Sequence, residues 1–72
     1  MDSRIIRFLK RNGFNRMETN SYANGVCNVV EEGNAYYAVS NNAGDTIYSK
    51  DLNIYWLIGV LIYCGYIDKL VK

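Results

Sequence analysis

The stretch ANGVCNVVEEGNAYYAVSNNAGDTIYS, residues 23–49, is divided by three glycine-containing turn signals into short runs rich in valine and tyrosine. Asparagine and glycine tolerate a positive φ, which two-residue hairpin turns require. The signals are Asn24-Gly25, Gly33-Asn34 and the four residues 41–44. Their spacing predicts an antiparallel meander of three or four strands, with the last strand within residues 46–49.

Two-residue loops at the first two signals would also determine the register of the strands. Val26 would then face Ala23, while Val30 would face Thr19 and Tyr37. Because strand side chains alternate between faces, one face is predicted to hold Met17, Val26, Val30, Tyr37 and Val39. The other is predicted to hold Tyr22, Cys27, Val29, Tyr36 and Ala38, with Glu18 opposed to Glu31 near one end. Opposed carboxylates are unfavourable, so the first strand is the weakest prediction.

Residues 3–12 predict a short amphipathic helix before the sheet. Asp2 or Ser3 can cap its start, and Asn12-Gly13 provides a left-handed stop. Ile5, Phe8, Leu9 and, in part, Ile6 share one face, and Phe14 can pack back on the last turn.

A second helix is predicted after the sheet, within the stretch IYWLIGVLIYCGYI, residues 54–67. The uncharged run is only sixteen residues, 52–67, whereas a membrane span needs about 20, so no membrane association is expected. The chain is therefore predicted to be a single compact α+β domain, residues 1–72, with both helices on one sheet face.

The second helix has no polar side, although a surface helix normally has one. At 100° per residue its aliphatic side suits the sheet, and its other side is mostly aromatic around one glycine. Tyrosine and tryptophan can lie half-buried with their polar tips in water, but they are also enriched at interfaces. We favour a homodimer, because small domains often need association for stability. The predicted self-association residues are Tyr55, Trp56, Gly59, Tyr63 and Tyr66.

The composition argues against an enzyme. The chain has no histidine, the usual base beside a nucleophile. Cys27 and Cys64 are expected to be reduced packing residues, and two cysteines cannot form a four-thiolate zinc site. Glu31 and Glu32 are adjacent on a strand and therefore point to opposite faces, which suggests a solvated hairpin end. No catalytic residue, metal or cofactor is predicted.

Charge is distributed unevenly along the chain. Residues 1–16 carry five basic residues against Asp2, a balance of +4, and residues 17–72 carry three lysines against six acids, a balance of −3. A basic helix face can contact the phosphates of a nucleic acid, although solvated helix faces are often charged and the total is only +1. The possible nucleic-acid contacts are Arg4, Arg7, Lys10 and Arg11.

One segment resembles a group of known proteins. The run CNVVEEGNAYYAVSNNAGDTIYSKDLNIYWLIGVLIYCGYI, Cys27 to Ile67, is similar to small uncharacterised proteins of Bacteroides-type gut bacteria and their mobile elements. The likeness lies in the tyrosine-rich hairpin, the NNAGDTIYS turn and the tryptophan-containing apolar helix. It covers about half the chain, implies a compact α+β domain and supplies no site residues.

Taken together, these patterns predict a small cytoplasmic, non-catalytic module that binds a protein or associates with itself. The alternative is a nucleic-acid-associated accessory or inhibitor protein that uses the basic N-terminal helix.

Overall fold

The computed structural model describes residues 1–67, which form two helices and a five-stranded antiparallel sheet. In chain order the elements are α1 (Ser3–Arg11), β1 (Asn15–Glu18), β2 (Ser21–Ala23), β3 (Cys27–Glu32), β4 (Tyr36–Asn41), β5 (Thr46–Tyr48) and α2 (Ile54–Tyr63). The strands lie in the sheet in the same order. The α+β prediction is confirmed. There are five strands rather than three or four because a turn at Thr19-Asn20 divides the predicted first strand into β1 and β2.

Helix α1 has the ends that its sequence predicts. The Asp2 carboxylate accepts a hydrogen bond from the backbone N–H of Arg4 at 2.7 Å and so caps the first turn. At the other end Gly13 has a φ of +84°, the left-handed conformation that ends many helices. Phe14 then donates its backbone N–H to the Leu9 carbonyl at 3.0 Å, and its ring is buried in the core.

The predicted register of the β2–β3 hairpin is wrong by two residues. Ala23 lies opposite Asn28 rather than Val26. The physical reason is the Asn24 side chain, whose oxygen accepts hydrogen bonds from the backbone N–H groups of Val26 and Cys27 at 2.9 and 3.0 Å. The turn is therefore centred one residue later. Since a two-residue shift preserves the alternation of a strand, every β3 side chain keeps its predicted face.

The predicted register of the β3–β4 hairpin is wrong by one residue, and this has a larger effect. Gly33 and Asn34 both have positive φ, and the Ala35 N–H donates to the Glu32 carbonyl at 2.9 Å, so the tight turn does form. Glu32, however, pairs with Tyr36, so Ala35 is an extra residue in a three-residue turn. A one-residue shift moves every side chain of β4 to the other face.

As a result, Tyr37 and Val39 lie on the face that Cys27 and Val29 occupy, and not on the face of Val30. Both helices cover this face. The buried hydrophobic core is formed by Ile5, Leu9, Phe14, Tyr22, Cys27, Val29, Tyr37, Val39, Leu57, Leu61 and Ile67.

Glu31 lies on this covered face as well, because it follows Cys27 and Val29 at every second position of β3. It is only 6% exposed, so its predicted place at a solvated hairpin end is wrong. Its carboxylate lies 3.6 Å from the Met1 amino group. The predicted opposition of Glu18 and Glu31 is also wrong, because Glu18 pairs with Ser21.

The two helices run in the same direction across the sheet. Helix α1 begins beside Glu31, and the chain enters β1 at Asn15, opposite Ala23. Helix α2 follows β5, and the Tyr66 carbonyl beyond its end accepts a hydrogen bond from the Asn24 side-chain amide at 3.0 Å. Within residues 1–67, neither helix is long and apolar enough to cross a membrane.

Candidate functional site

The start of α2 is held by a chain of short polar contacts. Ser49 is buried; its hydroxyl accepts a hydrogen bond from the Tyr37 N–H at 2.7 Å and donates one to the Asp51 carbonyl at 2.6 Å. The Asp51 carboxylate accepts from the Asn53 N–H at 3.1 Å. The Asn53 side chain then caps the helix by accepting from the N–H of Tyr55 and Trp56. These contacts position the first turn of α2 relative to β4.

Helix α2 therefore presents one defined side to the sheet. Leu57 and Leu61 are completely buried, as the aliphatic pattern predicts. At 100° per residue, Gly59 lies about 200° from Leu57 and so on the opposite side of the helix. Tyr55 and Tyr63, one turn before and after Gly59, are 75% and 91% exposed. We call the exposed side defined by Tyr55, Gly59 and Tyr63 the α2 aromatic face.

The other two predicted self-association residues lie at the borders of this face. Trp56 is half-buried and lines an open depression of about 380 Å³ together with Tyr48, Lys50, Asp51 and Asn53. Tyr66 is half-buried beyond the end of α2, where Gly65 turns the chain with a φ of +75°. Tyr55 is thus more exposed than Trp56, although the sequence predicts both as self-association residues.

Gly59 has no visible role within the described chain. It has no positive φ, and a Cβ atom added to it would meet nothing within 4 Å among residues 1–67. A glycine inside a helix is destabilising by roughly 1 kcal/mol relative to alanine. The fold of residues 1–67 therefore gives no reason for a glycine at the centre of the α2 aromatic face.

The predicted basic residues of α1 divide into two groups. The Arg4 guanidinium binds the Asp2 carboxylate at 2.8 Å, and this hydrogen bond, with that of the Arg4 backbone N–H, lowers the pKa of Asp2 from 3.8 to about 2. Arg7, Lys10 and Arg11 are exposed, and no carboxylate within residues 1–67 forms an ion pair with any of them.

The two cysteines are free thiols, and Cys27 is buried in the core. Burial raises the pKa of Cys27 to about 11, and the neighbouring Cys64 adds to the shift. A thiol with this pKa is almost entirely protonated at neutral pH and is a poor nucleophile.

The opposite face of the sheet carries a pair of aromatic residues that the sequence did not place together. Tyr36 and Tyr48 contact each other edge to face, with ring centroids 5.9 Å apart, and Tyr48 is 63% exposed. The one-residue shift at Ala35 places them there, so no local signal could have identified this pair.

Comparison of the chain with protein families, with curated proteins and with solved structures finds no match in any of the three. The resemblance to small Bacteroides-type proteins therefore stays a prediction, as does the expectation that the chain is not an enzyme.

Proposed function

We propose that this protein is a small, non-catalytic module that associates with itself through the α2 aromatic face. The observation that carries the proposal is Gly59, which lies in open space between two exposed tyrosines at a small cost in helix stability. A glycine is useful at such a place when another backbone approaches closely. Free thiols are typical of a reducing compartment, so we place the module in the cytoplasm.

A second copy of the chain is the occupant that suits this face best. Helix α2 carries no charged residue from Ile54 to Tyr63, so a copy of the same face brings no like charges together. In a two-fold arrangement the same patch meets itself. With the axis near Gly59, Tyr55 of one copy would lie beside Tyr63 of the other.

The size of the surface is compatible with a dimer of modest affinity. A typical interface buries about 800 Å² on each partner, roughly a sixth of the 4762 Å² surface of this chain. Each tyrosine can bury about 150–250 Å², so Tyr55 and Tyr63 would supply a large part of the buried interface area. The half-buried Ile62 and Tyr66 would form the border of the interface. Because association also costs translational and side-chain freedom, we expect a dissociation constant on the order of micromolar.

Analytical ultracentrifugation between about 1 and 200 μM tests this proposal, because the range brackets a micromolar constant. The wild-type protein should change from monomer to dimer. Gly59→Leu should remain monomeric, because the new side chain separates the backbones. Thr46→Leu adds the same side chain at an exposed position of β5 and should dimerise like the wild type.

A second pair of variants tests the tyrosines. Tyr55→Ser/Tyr63→Ser should weaken the dimer, whereas Met17→Ser, which removes an exposed apolar side chain from β1 at the other edge of the sheet, should not. A wild-type protein that stays monomeric at 200 μM, or a Gly59→Leu variant that dimerises as well as the wild type, would refute self-association through this face. A protein partner with a matching uncharged surface would then be the remaining candidate.

A further inference from the structure

Four exposed cations flank the turn through which α1 leads into β1. Arg7, Lys10 and Arg11 occupy positions i, i+3 and i+4 of α1 and so lie on one side of the helix. Arg16 joins them from β1: it pairs with Tyr22, whose ring is buried beneath the helices. Directly opposed residues share a sheet face, so the Arg16 side chain is on the same side of the sheet as α1. We call these four residues the basic corner.

The cations of the basic corner are not neutralised by the described part of the chain. Among residues 1–67, the ion pairs are Arg4 with Asp2 and the Met1 amino group with Glu31. Arg16 donates a hydrogen bond to the Glu18 backbone carbonyl at 3.3 Å, so its contact there is not with the carboxylate.

The described part of the chain that follows Arg16 carries a net negative charge. Residues 17–67 contain one lysine against five acids, a balance of −4, which mirrors the +4 of residues 1–16. The stability of α1 explains part of the concentration of cations in residues 1–16. Lys10 and Arg11 lie in the last turn of α1, where cations interact favourably with the helix dipole. It does not explain Arg7, in the middle of the helix, or Arg16, on the strand. A molecule with this charge asymmetry would turn its basic corner towards a polyanion.

We infer that the basic corner contacts the sugar–phosphate backbone of a nucleic acid duplex without reading its sequence. Three of the four cations are arginines, whose planar guanidinium groups match phosphate oxygens in a bidentate manner. No exposed aromatic residue belongs to α1 or β1, so the corner offers no stacking platform of the kind that single-stranded nucleic acids use.

An anionic membrane would be attracted by the same charges, but the structure favours the duplex. A helix that lies in a membrane surface buries its apolar side among the lipids. In α1 that side is already occupied, because Ile5 and Leu9 are buried against the sheet and Ile6 and Phe8 are half-buried.

The test is fluorescence anisotropy of a labelled duplex of about 20 base pairs, titrated with the full chain between 25 and 150 mM KCl. With at most four phosphate contacts, the logarithm of the affinity should fall with the logarithm of salt with a slope no steeper than about −4. Arg7→Gln/Lys10→Gln should reduce this slope by about 2 and weaken binding on the order of tens of fold at 0.1 M salt.

The matched control is Asn28→Asp/Thr46→Glu, which lowers the net charge by the same two units at exposed positions of β3 and β5. It should retain the wild-type slope. Circular dichroism should verify that both double variants are folded, which is expected because glutamine is a good helix former and all four positions are exposed.

Three results would overturn the inference: no duplex binding by the wild type at 25 mM KCl, equal losses in the two double variants, or binding to phosphatidylserine vesicles without binding to the duplex. The inference does not depend on dimerisation. Tyr55→Ser/Tyr63→Ser should retain the salt slope measured per protomer, so a failure of the dimer and a failure of duplex binding can be told apart.

Discussion

Ser49 and Tyr37 exchange two hydrogen bonds at the exit of β5. The Ser49 backbone N–H donates to the Tyr37 carbonyl at 2.9 Å, and the Tyr37 N–H donates to the Ser49 hydroxyl at 2.7 Å. Since the same hydroxyl also donates to the Asp51 carbonyl, one buried side chain joins the centre of the sheet to the segment that starts α2. Through this contact the sheet positions the start of α2.

Ser49→Ala should therefore destabilise the protein. The substitution leaves the buried Tyr37 N–H without its acceptor, which typically costs about 1–3 kcal/mol. Urea denaturation followed by Trp56 fluorescence measures the free energy of unfolding. Ser40→Ala is the control, because Ser40 is half-buried on the other sheet face. Equal stability of the two variants would contradict the proposed importance of the Ser49 hydroxyl.

Gly59→Ala should stabilise the monomer and weaken the dimer. The methyl group finds open space, and alanine is preferred over glycine in a helix by roughly 0.5–1 kcal/mol. Denaturation at submicromolar concentration should show the gain. Sedimentation at 200 μM should show a larger dissociation constant than the wild type has. If Gly59→Ala increased both the stability of the monomer and the affinity of the dimer, Gly59 would have no role in the close approach of two backbones.

The stability of α1 should depend on pH through Asp2. Its pKa is about 2 in the folded chain against 3.8 ordinarily, so protons bind more tightly to the unfolded state. The stabilisation is therefore complete above about pH 4 and is lost as the pH falls through 2. Asp2→Asn keeps a side chain that caps helices well but cannot titrate. The difference in unfolding midpoint between wild type and variant should shrink from pH 6 to pH 2, and a constant difference would contradict this assignment.

Cys27 should resist modification in the folded protein. With a pKa of about 11, roughly one thiol in a thousand is ionised at pH 8, and the side chain is also buried. In a Cys64→Ser variant, labelling by an aromatic disulfide reagent should be slow in buffer and fast in 6 M guanidinium. In a Cys27→Ser variant, the half-buried Cys64 should react faster under native conditions. Rapid native labelling of Cys27 would mean that the core opens readily.

The sequence by itself determined the features that depend on neighbouring residues. The cap at Asp2, one of the two residues predicted for it, and the stop at Gly13 follow from the chemistry of a few adjacent residues and occur as predicted. A tight turn also forms at Gly33-Asn34, although its loop is one residue longer than predicted. The orientation of α2 also followed from its own pattern, because one side is aliphatic over two turns and must face a core.

The tertiary structure alone decided the register of β4, and with it the two sheet faces. The sequence YYAVS places apolar residues at both odd and even positions, so either face could have been the buried one. The extra residue Ala35 selects Tyr37 and Val39 for the core. The burial of Glu31, the bridge made by Ser49 and the placement of Arg16 on the helix side of the sheet depend on tertiary packing as well. These features join residues far apart in the chain, and local propensity cannot encode such contacts because their energy exists only once the sheet has formed.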